Sequence, residues 1–517
     1  MSNAFAYDLL KYPAHIHQQM LPALLAPIAR IHGVQAASPR KCNLLEVGCG
    51  DGLQLITLAM AYPDSQFVGV DMSTAAIARG EALRARLGLD NLNLVVADLM
   101  EWDPGKTPFD YILAHGFFSW VPEPVRIRLL QLCRTSMAPQ GVAYISYNAF
   151  PGSHLRRMVW DMMRSHVRGI EDPSTQITEA RKFLEWLAQD VLGDGSYSVA
   201  VRSEAKDLLQ RTHTSVLFHD DLAEINQPYS FKGFMDVAGQ HDLQFLAEAD
   251  YCEMSDAVVG DDAIARLEAI SDGDPLRKEQ YRDYLKGRRF RQTLLCHAAS
   301  GLHRNIDGKA VASLSVTGDL VVQAADADAP ATDIVRFVSA AGAAITTDHP
   351  FVKVSLASIA AEFPTPISIT HLLDTGAAGS TRNEEDQAAL IEALSRGYRH
   401  GLITLLCDAP EYASEASAMP RLSPLARLQL EASSPVIFSL RPGMINIESA
   451  VTRELLLLLD GSRARPALLQ ELSVRMAELA PPPGEPARDA TWWRDMLAPQ
   501  LEQGLEQAAK MALLVVD

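Results

Sequence analysis

The stretch "LLEVGCGDGLQL", residues 44–55, sets Glu46 just ahead of Gly48, Gly50 and Gly52. An apolar run that breaks on glycine into a helix brings backbone close to a nucleotide. Dinucleotide sites favour G-x-G-x-x-G, where helix-terminal amides face a diphosphate. The spacing here is G-x-G-x-G, and it is followed by acids. Asp71 closes "FVGVDMS" and Asp98 closes "LVVADLM". Glu46, Asp71 and Asp98 thus fall at the ends of three successive strand-like runs, on the edge where open α/β sheets take ligands. S-adenosylmethionine has no phosphate. Its α-amino acid, sulfonium, ribose and adenine need carboxylates and close backbone, which is what these residues offer. Each acid taken singly is also an ordinary helix N-cap, Asp71 before Ser73-Thr74 being one case.

The elements that must position these residues follow from periodicity. Strand-like runs "NLLEV", "QFVGV", "LNLVVA", "FDYILA" and "VAYISY" alternate with helical stretches at Leu53–Ala61, Thr74–Leu87 and Pro124–Met137. That rhythm predicts an α/β, doubly wound Rossmann-like parallel sheet over residues 1–150. The "YPDS" and "APQG" segments are read as turns. Residues 151–300 are expected to add helical insertions and to complete the sheet through 228–250 and 290–297. Beyond 300, "VASLSV" and "DLVVQA" around Thr317-Gly318 predict one hairpin, and "VRFVSAAGAAITT" a second. Short helices and a strand-like "LITLLC" follow, suggesting a winged-helix-like α+β unit over 301–412. Helices near 450–460, 465–478 and 498–512 suggest another over 413–517.

Bulk composition narrows the function. The chain has 517 residues, a formal charge of −18 and 48% hydrophobic content. Residues 341–517 hold 14 Lys/Arg against 22 Asp/Glu. Winged-helix-like units without a basic face do not read as nucleic-acid binders. No run approaches the roughly 20 apolar residues that span a bilayer, so no membrane insertion is expected. The six cysteines form no CxxC pair and "MSNAFAYDLLKYPAHIHQQM" has no signal-peptide core; both suit a reducing cytoplasm. The histidines of "HIHQQ" and "HDD" lack zinc-site spacing, and no metal is expected. The basic "KGRRFR" at 286–291 suits an inter-domain ion-pair cluster or a solvated helix end better than a steering patch.

Taken together, "LLEVGCGDGLQLITLAMAYPDSQFVGVDMS", "FDYILAHGFFSWVPEPV" and "GVAYISYNAFPG" resemble the class I methyltransferases that carry a methyltransferase regulatory domain. That group includes the rickettsial lysine methyltransferases of outer membrane protein B. "LFHDDLAEINQPYSFKGFMDVAGQHDLQFLAEAD" and "YLKGRRFRQTLLCH" resemble its regulatory region. The resemblance implies that Glu46, Gly48, Gly50 and Gly52 line the methionine end of S-adenosylmethionine. Asp71 would hold the ribose, Asp98 with Leu99 the adenine, and Met72 would also border the cofactor. His115 would sit beside the transferable methyl group, and Tyr7 and Tyr12 would cover the cofactor.

A lysine acceptor, which the resemblance alone names, must lose a proton from an amine of pKa roughly 10.4 before it attacks. Candidates at the carboxyl edge of the sheet are His115, Tyr147 and Asn148. Phe118, Trp120 and Phe150 are candidate walls for an acceptor channel, where cation–π contact would hold an ammonium. The same aromatics would equally serve to cap the core. The expected partner is a protein substrate, an outer-membrane or surface protein met before export among the candidates, and a homodimer is allowed. A small-molecule methyltransferase and a non-catalytic S-adenosylmethionine-binding regulator are the alternative readings.

Overall fold

The protein is described from a computed structural model covering residues 10, 12, 15–189, 193–210, 214–256, 261–323, 334–375, 384–479 and 486–516. Its centre is a seven-stranded sheet in the order β3-β2-β1-β4-β5-β7-β6. The strands are β1 (Asn43–Val47), β2 (Gln66–Asp71), β3 (Leu92–Val96), β4 (Phe109–Ala114), β5 (Met137–Asn148), β6 (Leu243–Glu248) and β7 (Phe290–His297). The first five pair in parallel, and β7 runs antiparallel to both β5 and β6. Central β1 carries the buried run "LLEV", as a strand covered on both faces should.

The first two helices between the strands keep their sequence-read bounds, and the third shifts by one residue. Leu53–Ala61 and Thr74–Leu87 are both helices. The second begins where Ser73 Oγ accepts the Ala76 N–H at 3.0 Å and ends on Gly88 at φ 65°. A serine cap and a left-handed glycine stop are the usual punctuation. The next helix spans Glu123–Ser136 and runs directly into β5. "APQG" is therefore not a separate turn but the start of β5, with a register irregularity opposite Phe109/Tyr111.

Between β5 and β6 the chain inserts helices Ser153–His166, Pro173–Leu187 and Ser196–Leu209, which share a small core around Val159, Leu184 and Val201. Residues 261–286 add two more helices before β7.

One expectation beyond 300 is corrected. Thr317-Gly318 joins no hairpin. Val311 and Ala312 end a short helix, strand β8 (Ser315–Thr317) pairs with β12 (Ile367–Ser368) and β13 (Thr404–Leu406), and β9 (Leu320–Gln323) pairs with β10 (Val335–Ser339). Burial gives the reason. Val316 is fully buried whereas Val321 and Val322 are exposed, so the chain passes there from one sheet into another. The second hairpin is present, β10 against β11 (Ala344–Thr347). After residue 413, strands β14 (Val436–Phe438) and β15 (Met444–Asn446) pair, and helices Ala450–Leu458, Arg465–Glu478, Ala490–Leu497 and Leu501–Lys510 build a core of their own. The core beneath one face of the main sheet, by contrast, runs on without a break into Val316, Phe337, Leu356 and Leu394.

Candidate active site

A cavity of about 770 Å³ opens at the carboxyl edge of β1, β2, β4 and β5. It is lined by Glu46, Gly48, Gly50, Asp71, Met72, Asp98, Leu99, His115, Trp120, Asn148 and Tyr12.

The glycines shape its floor. The Gly48 N–H donates to Val70 O at 2.8 Å, folding the turn across the end of β2. Gly48 has φ 74°, and a Cβ there would lie 2.8 Å from Phe117 Cδ2. A side chain would be strained in conformation and would collide. Gly52, at φ 68°, starts the Leu53–Ala61 helix but does not itself line the cavity.

The acids divide by environment. Asp71 Oδ2 accepts the Gly50 N–H and Oδ1 the Ser73 N–H, each at 2.8 Å. Asp98 Oδ1 accepts the Met100 N–H at 2.9 Å. Glu46 is buried, and its Oε2 accepts no hydrogen bond. Burial, then Asp71 and Asp51 nearby, push its carboxyl up to about 8. A buried carboxyl with an open oxygen calls for a cation or a donor. The α-ammonium of S-adenosylmethionine is such a group, so the residues present fit this cofactor.

At the other end, His115 Nδ1 lies 2.8 Å from Tyr144 Oη, and its ring stacks on His17 with centroids 3.6 Å apart. His15 follows at 4.7 Å from His17. Burial first, then the neighbouring imidazoles, lower His115 well below its ordinary value and His17 to about 4. Both rings are therefore uncharged at neutral pH. Asn148 Nδ2 donates to Asn226 Oδ1 at 2.9 Å.

Not every candidate reaches the cavity. Tyr147 is buried on the other face of β5, stacked on Phe234 at 4.2 Å, with its hydroxyl accepting from Thr293 Oγ1. Phe118 sits in that same core, edge-on to Tyr229 and Phe234. Phe150 stacks on His154 at 4.0 Å and does not line the cavity. Strand alternation explains Tyr147: even-numbered Tyr144, Ser146 and Asn148 face the site, so odd-numbered Tyr147 faces away. Tyr7 lies outside the described residues. Tyr12 reaches the wall, with Oη donating to Asp220 at 3.4 Å.

Lining residues not singled out from sequence include Gln54, His17, Phe117, Arg157, Asn226 and Phe290. Gln54 was legible, being the second residue after the glycine turn. Arg157, Asn226 and Phe290 arrive from the insertion and from β7, and only tertiary structure brings them in.

Three family profiles match. They are "Methyltransferase domain" over residues 44–141, "Predicted methyltransferase regulatory domain" over 213–297, and "PKMT, C-terminal winged helix domain" over 418–513. The structure of PKMT2 from Rickettsia typhi in complex with AdoHcy superposes with a TM-score of 0.83, covering 98% of this chain and 100% of that one at 24% identity. The chain has the class I methyltransferase fold, with segments matching a regulatory and a winged-helix domain.

Among curated proteins, uncharacterized protein RP789 of Rickettsia prowazekii is 32% identical over 316 residues, 61% of this chain and 57% of that protein. The match thus spans little more than half of that relative's length. Trans-aconitate 2-methyltransferase of Methylobacterium radiotolerans is 34% identical over 100 residues, 19% of this chain. Among the described residues no helix is long and apolar enough to cross a membrane.

Proposed function

We propose that the protein transfers methyl groups from S-adenosylmethionine to lysine side chains of a protein substrate. The observation that carries the reading is one cavity joining two chemistries. At one end stand the glycine turn, Glu46, Asp71 and Asp98; at the other stand the uncharged His115 and His17, with Asn148 and Trp120. The superposed structure is that of a protein lysine methyltransferase, and its name carries the same reading.

The cofactor supplies an electrophilic methyl on a good leaving group, so the protein's task is alignment. Asp71 accepts from the ribose, and Asp98 and Leu99 border the adenine. Glu46 receives the ammonium. Neutral imidazoles beside the site put no positive charge against a sulfonium or an approaching ammonium. In the tautomer whose Nδ1–H donates to Tyr144 Oη, His115 keeps its second nitrogen as an acceptor for the substrate amine. Trp120 offers a π face to the lysine side chain. The domains beyond residue 300 hold the polypeptide substrate away from the reacting atoms; with net negative charge they suit protein rather than nucleic acid. A cytoplasmic site of action, an outer-membrane or surface protein met before export, and a homodimer complete the proposal.

Purified protein incubated with methyl-labelled S-adenosylmethionine and a host-cell lysate tests it. Label in protein, recovered after hydrolysis as methyl-lysine, is expected. Label confined to small molecules would instead favour a small-molecule acceptor, and a cofactor bound but never consumed would favour a regulator.

A further inference from the structure

The cavity holds a second buried polar atom with an unmet hydrogen bond, the Gln54 amide nitrogen. Gln54 is 4% exposed and lies on the first turn of the Leu53–Ala61 helix, facing the cavity. Its Oε1 accepts the His17 backbone N–H at 2.9 Å, while its Nε2 donates to nothing. A buried amide N–H without an acceptor costs free energy that a ligand oxygen would recover. Glu46 Oε2 is the complementary case, a buried acceptor without a donor in the same cavity. One open donor and one open acceptor match the carboxylate and ammonium of an α-amino acid.

We infer that Gln54 is a cofactor-positioning residue that works in both directions: its Nε2 donates to the α-carboxylate of the cofactor, and its Oε1 holds the His17 backbone so that the His17 ring stays on His115. Gln54 thereby ties occupancy of the methionine end to the segment around His15–His17, which walls the methyl-transfer end. The inference rests on the cofactor reading given above, though not on the identity of the acceptor. An amide is suited to the double task because it presents a donor and an acceptor on one planar group. A glutamate of the same shape keeps the acceptor for His17 and loses the donor. A methionine of similar length loses both.

The test is equilibrium binding of two ligands to the full chain by calorimetry. They are S-adenosylhomocysteine, which has the amino-acid tail, and 5′-methylthioadenosine, which lacks it. Gln54→Glu is expected to weaken S-adenosylhomocysteine by at least about tenfold and to leave methylthioadenosine within about twofold, which also shows that the variant is folded. Backbone amide exchange of residues 15–20 supplies the second readout. Addition of S-adenosylhomocysteine should slow it in the parent and leave Gln54→Met unprotected. Equal weakening of both ligands, or unaltered S-adenosylhomocysteine affinity in Gln54→Glu, overturns the role of Gln54. Absence of S-adenosylhomocysteine binding to the parent chain overturns the cofactor reading itself, a separate result.

Discussion

Asp71 Oδ2 accepts the backbone N–H of Gly50 at 2.8 Å, so the carboxylate that closes β2 also fixes the glycine turn that follows β1. Its other oxygen caps the Ser73 N–H. The proposed ribose contact and the turn geometry therefore rest on one side chain. Asp71→Ala should lower S-adenosylhomocysteine affinity at least about tenfold. It should also cost about 1–3 kcal/mol of stability through amides left unpaired. Asp71→Asn keeps an acceptor and should lose less of both. Calorimetry and urea denaturation on the two variants check this; unchanged affinity in Asp71→Ala would remove Asp71 from the cofactor site.

Glu46 predicts a proton. Burial, then the acids beside it, push its carboxyl from the ordinary 4.5 up to about 8. A carboxyl raised in the folded state contributes stability that is complete below pH 4.5 and is lost as pH rises through 8. An ammonium arriving beside Glu46 reverses the shift, so binding near pH 7 should release up to about one proton. Binding enthalpies of S-adenosylhomocysteine in phosphate and in Tris should differ accordingly, and Glu46→Gln should abolish the difference. A buffer-independent enthalpy in the parent would show Glu46 already ionised before the ligand arrives.

The contrast between Asn148 and Tyr147 shows how far sequence carries. The strands, the glycine turn and the acids at the strand ends are all local signals, and periodicity with capping residues reads them directly. Which side of β5 faces the cavity is also a local matter: once His115 is placed near Tyr144, alternation assigns Asn148 to the site and Tyr147 to the core. A list of polar residues at a strand end does not apply that filter. Arg157, Asn226 and Phe290 were beyond reach for another reason, since the turns of a long insertion and an antiparallel β7 decide where they land. The Thr317-Gly318 misreading is of a third kind. Two apolar runs around a glycine look like a hairpin, but partner choice is set by burial across two sheets.

Arg291 marks the buried joint that sets the far wall of the cavity. It is fully buried and bonds Glu248, Asp283 and Glu279 together, with Arg288 beside Asp283 at 3.1 Å. The basic run read from sequence is thus largely an ion-pair cluster. The backbone it anchors reaches the site: Arg288 O accepts the Gly152 N–H at 3.0 Å and Arg289 O the Ala149 N–H at 2.8 Å. Arg291→Met removes the cation shared by three buried acids, which keep only Arg288 and Arg282 as partners, and should destabilise by about 3 kcal/mol. Combining it with Glu248→Gln should recover part of that loss. A denaturation midpoint for Arg291→Met equal to the parent would show that the cluster contributes nothing net.

His32 gives the pH dependence its sign. Its Nδ1 meets the His303 carbonyl at 2.9 Å and its Nε2 meets Tyr251 Oη at 3.0 Å, while Tyr251 stacks on Tyr398 at 4.8 Å. The imidazole therefore joins the Pro22–Ile31 helix to the loop after β7 and, through Tyr251, to the Glu384–Arg399 helix. Burial chiefly, with Arg304 and His303 adding to it, lowers its pKa from 6.5 to about 4. A base depressed in the folded state binds its proton more readily when unfolded, so its stabilising contribution is full above pH 6.5 and drains away as pH falls to 4. The loss over that window is at most about 3 kcal/mol for one such histidine. His17, shifted the same way to about 4, adds to the slope. Chemical denaturation at stepped pH should show stability falling from pH 6.5 to 4 in the parent. His32→Gln should be less stable at pH 7, because the paired ring is gone, yet flatter across the window. Parallel curves for the two proteins would mean that His32 is not the group being titrated.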